Sequence, residues 1–269
     1  MEHVAAEYSR LLRLFATPPA VPLSESEMKA LKKADTFTVG FEGWDLPCYG
    51  WGEGRTVLLC HGWGSRAGHL TLLARALAQA GFRAVAFDAP AHHSLPIEKK
   101  KVYSNMFEFG RAIAGVVRSL GGVYAVFGHS LGAMASLFAM AAYPHLEESS
   151  FSCPKLVLAS APASTRHVIG NFCRIHSLDG SERRSLEDEL QTRFAMALDD
   201  YDCAAALKTI PSAVMIIQGA NDEYFALEET LAHSAASGSA RILVIDGCGH
   251  NRILASKPAF TQTIDFLKS

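Results

Sequence analysis

Val123-Tyr124-Ala125-Val126-Phe127-Gly128-His129-Ser130-Leu131-Gly132-Ala133-Met134-Ala135-Ser136-Leu137-Phe138 is the stretch on which the reading of the fold turns. Val123 to Phe127 is a short apolar run with β-branched and aromatic side chains, the pattern of a strand covered on both faces. From Leu131 to Ala142 the chain is rich in Ala, Leu and Met, which favour helix, and Pro144 supplies a stop. Only three residues separate the two, so strand must pass to helix through a tight turn centred on Ser130. Backbones that meet so abruptly leave no room for side chains two positions either side of the serine. Gly128 and Gly132 stand at both places.

The same alternation extends outward. Thr56 to Cys60 and Ala84 to Phe87 precede this unit as strand candidates, and Leu156 to Ala159, Ala213 to Gln218 and Ile242 to Ile245 follow it. All are apolar nearly throughout. Between them fall stretches with apolar residues every three or four positions: Leu70 to Ala80 closed by Gly81, Val102 to Leu120 closed by Gly121, Leu227 to Ser237, and Pro258 to Lys268. Strands alternating with helices predict an α/β fold with a mostly parallel central sheet and helices on both faces. Upstream, Phe37 to Phe41 and Leu46 to Trp51 predict an antiparallel hairpin at the sheet edge, where Pro47 is tolerated. Residues 1–34 read as an amphipathic helix (Val4, Tyr8, Leu11, Leu12, Phe15), a Pro-rich link and a charged segment that pack on the core. Ser164 to Lys208 breaks the alternation with helical patterns alone, an uncommonly long connection inside a compact domain. One domain is therefore expected, made of 35–163 and 209–269, with 164–208 inserted as a small helical lid.

The serine at the turn raises a chemical question. A hydroxyl is a weak nucleophile at its own pKa and needs a base within hydrogen-bond reach, itself oriented by a third group. In a parallel sheet the site lies beyond the carboxyl ends of the strands, so partners belong just after later strands. Gly219-Ala220-Asn221-Asp222 follows one strand and Asp246-Gly247-Cys248-Gly249-His250 follows the next. Ser130 as nucleophile, Asp222 as orienting carboxylate and His250 as general base are the catalytic assignment, with Asp246 and Asp88 as rival carboxylates. An oxyanion needs donors too: the backbone amides of Trp63, in His61-Gly62-Trp63-Gly64, and of Leu131 are assigned to it. Phe172, Ile175 and Phe194 of the insertion are candidates for the substrate pocket.

Composition narrows the partners. With a formal net charge of -2 and only Lys99 to Lys101 as a basic cluster, nothing points to nucleic acid. No window approaches the roughly 18 apolar residues that span a bilayer, and Glu2, Glu7, Arg10 and Arg13 interrupt any signal-peptide core. Six cysteines with no CxxC pair and no clustering with histidine predict neither a metal site nor disulfides, as in a reducing cytoplasm. A cytoplasmic protein acting on a small molecule, without cofactor, is the expectation.

The joint set His61-Gly62-Trp63-Gly64, Asp88-Ala89-Pro90, Gly128-His129-Ser130-Leu131-Gly132, Gly219-Ala220-Asn221-Asp222 and Gly249-His250 resembles the α/β-hydrolase superfamily in order and spacing, from about Phe37 to the C-terminus. The resemblance implies a serine hydrolase of the esterase, lipase or thioesterase kind, cleaving an acyl ester through an acyl-enzyme. An acyltransferase with the same residues, or a ligand-binding protein that keeps the fold without turnover, is the alternative. One loop departs from the pattern: where relatives carry glycines after the strand ending in Asp88, this chain has Ala91 and His93.

Overall fold

The structure is a computed structural model that describes the chain apart from residues 1–7, 20, 95–100, 144, 195–196 and 238–239. Val4, Lys99, Lys100 and Pro144 lie outside the described residues. Among the described residues eight strands form one sheet: β1 (Asp35–Phe41), β2 (Trp44–Trp51), β3 (Arg55–Cys60), β4 (Phe82–Phe87), β5 (Ala125–His129), β6 (Lys155–Ala159), β7 (Ala213–Gly219) and β8 (Arg241–Ile245). Their order is β1-β2-β4-β3-β5-β6-β7-β8, antiparallel for β1 against β2 and β2 against β4, parallel for the rest. The strand carrying the serine turn is thus central.

Period-two alternation sorts each strand between two cores. Leu58, Val85, Val126, Leu156, Leu158 and Ile216 face one side with α4 (Met106–Ser119) and α5 (Leu131–Met140). Val57, Leu59, Ala84, Phe127, Val157 and Ile217 face the other with α3 (Thr71–Gln79) and α10 (Lys257–Lys268). Every one of these strand residues is buried, which is why these strands read as continuous apolar runs; β8 reads the same way, yet its Ile242 and Val244 are exposed, so the expected cover on both faces fails at that edge of the sheet. Pro47 lies in β2, one strand in from the edge. Its carbonyl accepts from Asp88 N, so its missing N–H faces the β4 side, beyond the last β2–β4 pair, Cys48 with Phe87.

The N-terminal residues hold α1 (Arg10–Ala16), capped by Ser9, and α2 (Glu25–Leu31). The expected charged segment is in fact the helix α2, started by a reciprocal capping box of Ser24 and Glu27, an S-x-x-E signal present in the sequence. The insertion contains α6 (Thr165–Ile175), α7 (Gly180–Phe194) and the short α8 (Cys203–Leu207), and α9 (Leu227–Ser237) follows β7. α1 docks on the insertion: Ser9 N donates to Glu189, Phe15 stands edge-on to Phe172 at 5.0 Å, and Tyr8 contacts Phe194 at 6.5 Å. All six cysteines are buried thiols. Lys101 is ion-paired with Glu108 at 3.1 Å, both largely buried. Among the described residues no helix is long and apolar enough to cross a membrane.

Candidate active site

β5 ends at His129 and α5 begins at Leu131, leaving Ser130 alone on the turn with φ 53° and ψ -124°. A non-glycine residue there is strained by about 1–3 kcal/mol, and such strain persists only where the surroundings over-determine it. They do. Ser130 N donates to Ala159 O, a Cβ on Gly128 would come within 2.4 Å of Ala133 Cα, and one on Gly132 within 2.3 Å of His61 O. The hydroxyl makes no cap bond to α5, so it is not spent on the helix start.

The loop after β3 lies against the serine. A Cβ on Gly62 would meet Ser130 Cβ at 2.8 Å. Two buried histidines fix that loop. His61 accepts from Ala89 N at Nε2 and donates from Nδ1 to Gly62 O; His92 accepts from Gly64 N at Nε2 and donates from Nδ1 to Pro90 O. Both are held neutral by burial, which drives His61 well below its ordinary value and His92 down to about 3. Among the described residues neither the Trp63 nor the Leu131 amide has a protein acceptor. The first amides of a helix are unsatisfied donors at its positive end, and the Leu131 N–H is one of them.

His250 donates from Nδ1 to Asp222 Oδ2 at 2.9 Å, and both side chains are buried. Burial, the largest influence, pushes the Asp222 carboxyl up, but the bond to His250, its charge, and the amides of Phe225 and Tyr224 outweigh it and hold the carboxyl below its ordinary value. Gln218 adds a fourth donor through Nε2. The backbone of His250 is pinned from both sides: its N–H donates to Glu223 Oε2, and its carbonyl accepts from His129 Nε2, each at 3.0 Å. His129, whose ring lies 4.8 Å from that of His250, thereby ties the histidine loop to the residue next to Ser130. Burial, then the neighbouring His250 charge, lowers His129 to about 3, so it serves as a neutral donor. Neither Glu223 nor His129 was singled out for this from sequence, because backbone clamps leave no spacing signature.

The rival carboxylates separate clearly. Asp246 is exposed. Asp88 is buried and accepts from Ala67 N, Ser94 N and Ser94 Oγ, tying the divergent loop to the start of the helix after β3. In that loop Ala91 itself takes φ 67°, the conformation that glycine adopts freely. Burial raises the Asp88 carboxyl from 3.8 to about 6, outweighing the bonds from Ser94 and Ala67. Between about pH 4 and 6 the folded protein therefore holds a proton that the unfolded chain releases, and stability contributed below that window is lost as pH rises through it, by about 3 kcal/mol. Urea melts of the protein and Asp88→Asn should show their stability difference shrinking by that order from pH 4 to 6 and then levelling. A difference that stays flat contradicts the burial argument.

Phe172 packs against Phe15 and His176, Phe194 against Tyr8, and Ile175 is half-exposed. The other face of α6 borders an open cleft of about 460 Å³, walled opposite by Tyr224 and Phe225. Arg174 crosses from α6 to donate to Glu223 O at 3.0 Å, joining the insertion to the Asp222 loop.

A serine raised on a strand-to-helix turn, two free amides beside it and a buried Asp–His pair on the following loops place the protein in the class of hydrolases. The chain belongs to the alpha/beta hydrolase family, whose model matches residues 57–261. Solved structures share the fold at low identity. An esterase from Pyrococcus furiosus is 18% identical with a TM-score of 0.66, over 94% of this chain and 97% of that one. An esterase from Thermogutta terrifontis is 16% identical with a TM-score of 0.63, over 87% and 98%. A thioesterase domain from the curacin biosynthetic pathway is 16% identical with a TM-score of 0.61, over 88% and 99%. No curated protein sequence matches the chain.

Proposed function

We propose that the protein hydrolyses a carboxylic ester or thioester of a small molecule through an acyl-enzyme on Ser130. His250 takes the Ser130 proton through Nε2 while Asp222 holds its Nδ1–H; the Ser130 oxygen attacks the acyl carbonyl and the Trp63 and Leu131 amides receive the oxyanion. The leaving alcohol or thiol takes the proton back from His250. Water, deprotonated by the same imidazole, then releases the acid. No step calls on a metal or organic cofactor.

The observation that carries this reading is the buried 2.9 Å bond from His250 to Asp222, on a loop joined to the serine turn by His129. It fixes the tautomer in which the far imidazole nitrogen is free to accept a proton. The test is burst and steady-state kinetics with 4-nitrophenyl esters, thioesters and amides of varied acyl length. Sustained turnover of esters or thioesters supports the proposal; one turnover followed by arrest, or none, rejects it in favour of a ligand-binding protein.

Residues 164–208 act in this reading as a lid, supported by the α6 wall of the cleft and by the Arg174 bond to the Asp222 loop. Replacing the segment with a short linker should shift the acyl-length preference of the ester panel while labelling of Ser130 persists. An unaltered preference with activity retained would remove the lid from the proposal.

A further inference from the structure

The cleft between α6, α7, α9 and the loop after β7 gathers three arginines, and none of its lining residues is the aliphatic kind that a long acyl chain would need. Arg166, His167, Arg174 and Arg183 converge on it, with Glu229 as the single carboxylate of the lining, 3.4 Å from His167 Nε2. Arg166 is paired with Asp199 and Arg183 with Glu187, at partly exposed positions where such pairs exchange readily for another anion. Arg174 has no carboxylate partner among the described residues. Its Nη2 donates to Asn171 Oδ1 and Glu223 O, both neutral acceptors, which orients the guanidinium and leaves the Nε and Nη1 donors unused.

The cleft borders the candidate active site through two aromatic rings, while neither Ser130 nor His250 lines it. Tyr224 and Phe225 form its wall, and the same two rings pack on the imidazole of His250 at 4.8 and 5.5 Å. A substrate with its carbonyl at Ser130 would pass these two rings to reach Arg174. We propose that the cleft is an anion subsite, and that the ester or thioester hydrolysed here carries an oxyanion group, a carboxylate or a phosphate, held by Arg174 with Arg166 and Arg183. The inference rests on the hydrolase reading above for the reaction, though not for the binding.

The test compares kcat/KM for mono-4-nitrophenyl glutarate with that for 4-nitrophenyl pentanoate, which has the same carbon count and no charge. The protein should prefer the anionic ester, and in Arg174→Gln the anionic-to-neutral ratio should fall about 10- to 100-fold, mostly through KM, the scale of a lost charge-assisted bond. Arg183→Gln, which does not touch the Asp222 loop, should lower the ratio in the same direction. No preference, or a ratio unmoved in both variants, overturns the subsite. Calorimetry of glutarate and of inorganic phosphate on Ser130→Ala, with and without Arg174→Gln, separates the two readings and the two anions. Arg174-dependent binding without any ester turnover would sink the hydrolase reading and keep the subsite; ester turnover with neither anion bound would do the reverse.

Discussion

Ser130→Ala should abolish labelling by a fluorophosphonate probe and lower ester turnover by roughly 10⁴–10⁶-fold, the range seen when the nucleophile of such a unit is removed. The expectation follows from how the residue is held. Its backbone sits at φ 53° between two glycines that permit no side chain, and its hydroxyl takes no part in capping α5. Removing the oxygen therefore deletes the reacting atom and leaves the scaffold in place, so melting temperature should change little. Residual rate above water would come from the Trp63 and Leu131 amides acting on bound substrate. Full labelling of the alanine variant would show that another residue is the nucleophile.

Asp222→Asn should cost about 10⁴-fold in kcat, by changing which nitrogen of His250 bears the proton. Asp222 Oδ1 accepts from the Tyr224 and Phe225 amides, so an asparagine would keep its oxygen there and turn its NH₂ toward His250 Nδ1. The imidazole would then accept at Nδ1 and carry its proton on Nε2, where it cannot take one from Ser130. Because its surroundings hold the Asp222 carboxyl below the ordinary value, the native carboxylate stays ionised as pH falls into the range where exposed carboxylates protonate. Asp246→Asn is the control: exposed and without a bond to His250, it should leave turnover within about twofold, as surface substitutions do. Equal losses in both variants would reject Asp222 as the orienting group.

Features carried by local or periodic patterns could be read from the chain before any coordinates. The alternation of apolar strands with amphipathic helices specified the sheet and the covered faces of its inner strands, because a strand buried on both sides must be apolar throughout; at β8 the same apolar pattern misled, since Ile242 and Val244 are exposed at the sheet edge. Glycines two residues either side of Ser130 specified the turn, because close backbone approach excludes a Cβ whatever surrounds it. Loops after β7 and β8 pointed to Asp222 and His250, because a parallel sheet gathers its carboxyl ends at one rim.

Long-range geometry decided the rest. The loop after β7 favours Asp222 over Asp246 and Asp88, but the bond from His250 to its carboxylate appears only with the relative placement of β7 and β8. Glu223 and His129 grip the histidine by side chains that bond to its backbone, which every residue offers, so residue 250 itself carries no mark of the contact. The departure at Ala91 and His93 becomes intelligible only in the structure, where Asp88 ties that loop to the turn before α3 and His92 ties it to Gly64. The cationic cleft, finally, comes from α6 and α7 facing a loop some fifty residues away. Side chains scattered along a chain share one electrostatic environment only after folding brings them within a few ångströms, where charge and desolvation act together.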